Sequence, residues 1–280
     1  LICDLKKETP EYVTGTTDTM LGISHETLAR RLRNAYGSGG IPPLRDGLDP
    51  QDIVNAYAIQ DLNTRFWEAE GRKIIGRKIG LTAKAVQAQL GVGQPDFGVL
   101  FDDMRIGNNG TLSPARVIQP KAEAEVALVL SKDVTKTDPT PEDIADASAY
   151  AVAALEIVDS RIADWKISFA DTVADNGSSA FFVLGDEQEP LDGLDLYTCG
   201  MVMEINHEIV SIGSGAACLG HPLIAAAWLA KTLVKVGHPL RAGDIVLTGA
   251  LGPMVTLAPG DHVVARIGGL GSVSFTYGEE

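Results

Sequence analysis

The chain has 280 residues, 45% hydrophobic and 21% charged, an ordinary globular composition with enough length to bury a core without disulfides or structural metal. Its formal net charge of −14, with no Lys/Arg run, excludes a nucleic-acid-binding surface and requires that an anionic substrate be captured by a placed cation. Cys3, Cys199 and Cys218 are odd in number and show neither CxxC nor Cys/His spacing, which argues against zinc or a disulfide framework and for a reducing cytoplasm.

Along the chain, no apolar stretch is read as approaching the ~20 residues that span a bilayer. Asp4, Glu8, Glu11 and Asp18 interrupt any apolar signal-peptide core. Residues 1–19 are expected to form a poorly ordered extension ahead of Met20. Residues 20–73 read as a small helical region. Ser24 can cap a helix carrying Leu28, Leu32, Ala35 and Tyr36 at helical spacing, which Gly37 to Gly40 end. Asp49 and Pro50 then open a second helix through Ile53, Ala56, Tyr57 and Gln60 to about Glu70.

From Ile74 to the end the texture is that of a β-rich catalytic domain, 74–280. Strands are expected at 74–79, 123–130, 152–158, 181–184, 201–204, 245–248, 262–267 and 271–277. Two helices interrupt them. One is capped by Thr140-Pro141-Glu142-Asp143 and runs to about Tyr150; the other is opened by Pro222 after His221 and stopped at Gly237. Strands and helices do not alternate regularly, so the fold class is α+β with a mainly β core.

The chemistry concentrates in a few places. In the stretch 120–130, Glu123 and Glu125 fall two residues apart and share a strand face with apolar Ala127 and Val129, while Val126, Leu128 and Leu130 take the other face. Both faces are therefore covered, and two carboxylates in a covered region repel unless a cation joins them. An ordinary half-exposed strand with a polar end is the alternative. Glu156 repeats the pattern, alone within the apolar run 151–158 with Ala154 and Val158 on its own face. Three carboxylates around one hard cation resolve both observations, and all-oxygen ligation favours Mg²⁺ or Mn²⁺ over zinc.

Other residues have two readings each. Lys78, at the end of a strand, is either a surface lysine or a fixed positive charge in a cleft. Asp96, in the turn sequence Gln94-Pro95-Asp96-Phe97-Gly98, either bonds to neighbouring backbone or is a loop carboxylate available for proton transfer. The segment 171–179 reads as a polar loop with Asx turns, in which Ser178 or Ser179 can bond a ligand. Gly213-x-Gly215 meets Cys218 where a dinucleotide fingerprint needs glycine, and no phosphate loop or nucleophile elbow occurs.

Gly76-Arg77-Lys78-Ile79-Gly80-Leu81-Thr82, Gln94-Pro95-Asp96-Phe97-Gly98, Glu123-Ala124-Glu125, Leu155-Glu156-Ile157-Val158, Val173-Ala174-Asp175-Asn176 and Leu247-Thr248-Gly249-Ala250-Leu251-Gly252-Pro253 together resemble the 2-keto-4-pentenoate hydratases of the fumarylacetoacetate hydrolase superfamily, from about Ile41 to Tyr277. The resemblance implies a β-rich fumarylacetoacetase-like roll and a ring-like homo-oligomer, a pentamer or decamer. It also implies Mg²⁺ or Mn²⁺ on Glu123, Glu125 and Glu156. Lys78, Asp96 and Ser178 match family positions near a small 2-oxo acid substrate, and Gly177 departs from the more usual alanine. The implied reaction is hydration of 2-hydroxypenta-2,4-dienoate to 4-hydroxy-2-oxopentanoate in aromatic-compound catabolism, ahead of a downstream aldolase. Asp96 is the implied acid/base, Lys78 the charge stabiliser and Ser178 the group that orients the bound carboxylate. The related 4-oxalocrotonate decarboxylases typically carry an apolar residue where this chain has Asp96. That difference favours hydration; decarboxylation of a 2-oxo-enedioate is the first alternative, and a non-catalytic 2-oxo-acid binder or structural partner of the downstream aldolase the second.

Overall fold

The computed structural model of the chain describes residues 22–84, 87–88 and 92–279. The extension expected over 1–19 and part of the short helix expected after Thr82 lie outside the described residues. Ser24 caps α1 (His25–Ser38) by accepting from the Thr27 N–H, and Leu28, Ala29, Leu32 and Ala35 bury one stripe of it. The second helix, α2 (Ile53–Ala69), starts later than Asp49 and Pro50 suggest. Its cap is Asp52, which accepts from the Asn55 N–H at 3.0 Å, while Asp49 holds the preceding turn by accepting from the Gln51 N–H at 2.9 Å. Two aspartates three residues apart can each cap; the one whose following residues join the buried stripe of Ala56 and Ile59 prevails.

The remainder builds two sheets. The larger runs in the order β2 (Asp96–Phe101), β1 (Ile74–Gly80), β10 (Ile245–Ala250), β5 (Lys121–Leu130), β6 (Ser148–Val158), β7 (Ser179–Leu184) and β3 (Arg105–Ile106), with β11 (Val255–Thr256) paired to the start of β5. The smaller runs β4 (Gly110–Leu112), β13 (Gly271–Tyr277), β12 (His262–Ile267), β8 (Gly200–Ile205) and β9 (Glu208–Ser214). Every strand expected from the sequence forms. Strand β2 corrects the turn expected at 94–98: Asp96 is the first residue of a strand paired to β1, not a loop carboxylate. The helix after Thr140, α3 (Pro141–Ala147), keeps its capping box but ends before Tyr150, because Tyr150 is already paired with Val129 in the sheet. The loop expected at 171–179 is corrected as well. Ser168 caps α4 (Phe169–Ala174), and Asn176–Ser178 is a 3₁₀ turn.

One expectation about apolar runs is also corrected. By length and composition, Gly215–Lys235 would be long enough to cross a membrane. Its regular helix, α5 (Pro222–Lys235), has only 14 residues, ~21 Å against ~30 Å of hydrocarbon. His221 caps it with a ring nitrogen, and Ala225, Ala226, Leu229, Ala230 and Leu233 are buried in the protein core.

Alternation along β5 and β6 sorts the core into two layers. Ala122, Ala124, Val126 and Leu128 of β5, with Ala153, Leu155 and Ile157 of β6, face the smaller sheet and α5 through Val263, Ala265, Phe275 and Leu229. On the opposite face Ala127, Val152, Ala154 and Leu247 pack with Val99, Leu100, Phe101 and Phe182. These last residues come from strands near opposite ends of the larger sheet, so the sheet is rolled around this face. Asn176 closes the roll: its side-chain Oδ1 accepts from the Val99 N–H at 2.7 Å and its Nδ2 donates to the Val99 carbonyl at 3.0 Å. The bend at 176–177 comes so close to β2 that a Cβ on Gly98 would lie 2.4 Å from the Asn176 carbonyl oxygen.

Candidate metal centre and active site

Antiparallel register places Glu123 of β5 opposite Glu156 of β6, and Glu125 opposite Ala154. With two-residue periodicity all three glutamates project from one face, and one oxygen of each lies within 4.8 Å of the others. Glu125 and Glu156 are fully buried, and Glu123 is partly exposed. Both Glu156 oxygens and Glu125 Oε1 lack a hydrogen-bond donor. Burial, reinforced by the neighbouring Glu156 charge, pushes Glu123 up to about 7. The same causes, burial first and then Glu156 and Glu123, hold Glu125 well above the usual carboxylate range against the opposing Gly249 hydrogen bond.

Lys78 of β1 enters the same space. It is 2% exposed, and its Nζ lies 3.3 Å from Glu156 Oε1. Burial alone would lower its pKa, but the charges of Glu156, Asp96, Glu123 and Glu125 outweigh that and raise it, so the ammonium stays protonated. Asp96 is 1% exposed and pairs in register with Gly80; its Oδ1 has no partner. Burial raises its pKa, and the Glu156 charge adds to this, against Lys78 and a Gly80 backbone hydrogen bond. Two glycines make room for this constellation. A Cβ on Gly80 would stand 2.1 Å from Asp96 Oδ1, and one on Gly177 (φ +61°) 2.9 Å from Lys78 Cε. The departure from alanine at Gly177 thus has a local reason.

Ser178 lies in the turn beside Lys78, but its hydroxyl is committed elsewhere. It donates to Asp175 Oδ2 at 3.3 Å and lies 3.2 Å from Thr172 Oγ1. Asp175 in turn accepts from Arg161 Nε at 2.6 Å and from the Arg161 N–H at 3.0 Å, both residues being almost fully buried. Sequence reasoning missed this ion pair, because Arg161 and Asp175 each sit in polar stretches that resemble loops. It also missed Gly249, whose N–H donates to Glu125 Oε2 at 2.8 Å. A glycine interrupting the apolar strand 245–250 was the available signal for a bulge.

A divalent cation fits these residues. One opposite charge, Lys78, cannot neutralise three clustered carboxylates, and buried carboxylate oxygens without hydrogen-bond donors are costly unless a cation takes them. The donors are all carboxylate oxygens on rigid strands, which suits a hard cation such as Mg²⁺ or Mn²⁺.

Comparison with known proteins agrees with the fold and the site's chemistry. The family model described as fumarylacetoacetate (FAA) hydrolase C-terminal matches residues 74–276. The chain is 56% identical over 253 residues to 2-keto-4-pentenoate hydratase 1 of Dechloromonas aromatica, covering 90% of this chain and 96% of that protein. It is 42% identical over 257 residues to 2-hydroxyhexa-2,4-dienoate hydratase of Comamonas testosteroni, covering 91% and 97%. Among solved structures, 4-oxalocrotonate decarboxylase from Pseudomonas putida G7, complexed with magnesium and adipate, superposes with a TM-score of 0.85 at 36% identity, covering 90% of this chain and 97% of that one. The α+β architecture, the extent of the family match and these identities over nearly the whole chain establish that the chain belongs to the fumarylacetoacetate hydrolase family.

Proposed function

We propose that the chain is a metal-dependent hydro-lyase that converts 2-hydroxypenta-2,4-dienoate to 4-hydroxy-2-oxopentanoate. The observation that carries this reading is the buried Asp96 carboxylate, its Oδ1 without a partner, held beside Lys78 and the three-glutamate cluster. Names of hydratases among relatives above 50% identity support it.

Mg²⁺ or Mn²⁺ on Glu123, Glu125 and Glu156 would supply Lewis-acid stabilisation of negative charge on the C2 oxygen of a 2-oxo acid. Lys78, kept protonated, positions the anionic substrate and stabilises the negative charge that develops on it. Asp96 supplies a proton to C5 as the C2 hydroxyl releases its own to solvent, giving the 2-oxo-3-enoate. The Asp96 carboxylate then takes a proton from water as the oxygen adds to C4, passes it to C3 to complete the addition of one water, and is reprotonated from solvent. Elevation of the Asp96 pKa by burial suits a group that must both give and take a proton. Ser178 would orient the substrate carboxylate once its hydroxyl leaves Asp175.

The same reading extends to the cell. Ile209 and Ile212, 65% and 66% exposed on edge strand β9, support a homo-oligomer, pentameric or decameric. Free, buried Cys199 and Cys218 support a reducing cytoplasm. A 4-hydroxy-2-oxo acid is a retro-aldol substrate, which supports a downstream aldolase as partner. A second reading, decarboxylation of a 2-oxo-enedioate, is favoured by the likeness to 4-oxalocrotonate decarboxylase.

A turnover panel decides between them. With Mg²⁺ or Mn²⁺, the dienoate chromophore should be lost and 4-hydroxy-2-oxopentanoate should form. CO₂ release from 4-oxalocrotonate without dienoate hydration would establish the decarboxylase instead, and tight binding without turnover a non-catalytic binder. Full hydration by a metal-stripped Glu125→Gln variant would remove the metal from the reading.

A further inference from the structure

A cavity of about 380 Å³ is lined by none of Lys78, Asp96, Glu123, Glu125 or Glu156. Its wall residue Phe101 pairs with Ile74, at the far end of the β1–β2 ladder from the Asp96–Gly80 pair. Five residue steps along β2 separate Phe101 from Asp96, roughly 17 Å at ~3.4 Å per residue, while Asp175 and Asn176 of the cavity wall precede Gly177, which packs on Lys78. The volume is that of a small-molecule site rather than a packing defect.

Its walls are aromatic: Tyr36 of α1, Trp67 of α2, Phe101 of β2 and Phe181 of β7. Two of its polar groups keep unused hydrogen-bonding capacity. The Ser179 hydroxyl, on a residue 1% exposed, has no hydrogen-bond partner. The Arg116 guanidinium lies over the Phe181 ring at 4.3 Å and donates to the Asp103 carbonyl at 3.2 Å, but has no carboxylate partner among the described residues. The other arginines of the wall are committed, Arg72 to Asp103 and Arg161 to Asp175. The Asp159 carboxylate accepts from the Ile118 and Gln119 N–H groups at 2.8 and 2.6 Å. The cavity therefore offers flat apolar walls, one spare cation at its more exposed side and one spare buried hydroxyl, with its carboxylates already satisfied.

We propose that this cavity is a second ligand site that binds a single-ring aromatic carboxylate, its ring against the aromatic walls, its charge on Arg116 and a further hydrogen bond from Ser179. A planar ring matches the walls, and a monoanion matches the one cation without a partner.

Calorimetric titration of benzoate and of 2-hydroxybenzoate into the Mg²⁺-loaded full-length chain tests this, with Arg116→Gln, Ser179→Ala and Glu125→Gln in parallel. One site per chain is expected, weakened about tenfold or more by Arg116→Gln and severalfold by Ser179→Ala. Glu125→Gln should leave it unchanged, and binding should change the fluorescence of Trp67, a change that Trp67→Phe removes. Absence of saturable binding up to about 10 mM would overturn the proposal. So would binding that survives Arg116→Gln but is lost in Glu125→Gln, since the ligand would then sit at the carboxylate cluster.

Discussion

The Gly249 N–H donates to Glu125 Oε2 at 2.8 Å, while Glu125 Oε1 has no partner. One oxygen of the carboxylate is tied to the backbone and the other is left for a cation. The geometry depends on a bulge in β10, where register slips between Leu247 and Ala250 and Gly249 takes φ +111°. Thr248 pins the bulge by donating its hydroxyl to the Val126 carbonyl at 2.9 Å. Only glycine fits, since a Cβ would lie 2.4 Å from Thr82 Cγ2. Gly249→Ala should therefore weaken Mn²⁺ binding by about tenfold or more, the loss of a charge-assisted hydrogen bond. Calorimetry on the folded variant reads this directly. If strain prevents folding, Thr248→Val, which releases the bulge without adding a Cβ at Gly249, should weaken Mn²⁺ in the same direction; unchanged affinity would show that the amide does not orient Glu125.

Stability of the metal-free protein should depend on pH through the glutamates. Burial and Glu156 raise Glu123 from 4.5 to about 7, and Glu125 is raised as well. The native state then holds protons that the unfolded chain has released, so the associated stability is complete below about 4.5 and lost as pH rises through about 7. Without metal, the thermal midpoint should fall between about pH 5 and about pH 8, by ~2–4 °C for each kcal/mol lost. Metal binding needs the deprotonated carboxylates, so Mg²⁺ affinity should rise over the same interval and saturating Mg²⁺ should abolish the fall. Glu123→Gln should flatten the metal-free profile; an unchanged slope would assign the dependence to other groups.

Asp96→Asn separates proton transfer from metal binding. The substitution keeps the shape of the side chain beside Gly80 and removes its ability to exchange a proton. Turnover at saturating dienoate should drop about 10²–10⁴-fold with Mn²⁺ affinity within about threefold of the parent. A parallel loss of metal affinity would instead make Asp96 part of the electrostatic balance of the glutamate cluster.

Closure of the roll rests on Asn176, whose amide makes both hydrogen bonds to Val99. Asn176→Ala leaves the Val99 N–H and C=O without these partners, at a cost of about 1–3 kcal/mol for each buried group left unsatisfied. Chemical denaturation should show lower stability, and Mn²⁺ affinity should fall with it, because the adjoining Gly177 packs against Lys78. Asn176→Asp, which retains only the acceptor, should fall between the two.

Periodicity alone reveals the layers of this protein. Two-residue alternation in 121–130 and 148–158 assigns each residue to a sheet face, and the same alternation exposes the three glutamates as carboxylates on covered surfaces. Strands of β-branched and apolar residues, the caps at Ser24 and Thr140 and the helix start at Pro222 were legible because their signals are local. The helical character of 169–178 was not, since a six-residue helix of small and polar residues gains its stability from burial under α2 rather than from propensity. Asp96 shows the same limit. Its Pro-Asp-Phe-Gly context reads as a turn, and only pairing with Gly80 makes it the start of a strand and buries its carboxylate.

Residue spacing alone places Glu123, Glu125 and Glu156 on covered strand faces, because side-chain direction in a strand follows from residue number. Tertiary structure decided that these faces meet, through the register of Glu123 against Glu156, and that Lys78 and Asp96 enter the same space. It also decided that a backbone N–H from a distant bulge holds one oxygen of Glu125, and that the Ser178 hydroxyl is turned toward Asp175. Those relationships depend on pairing between segments separated by up to 124 residues, which no local pattern encodes.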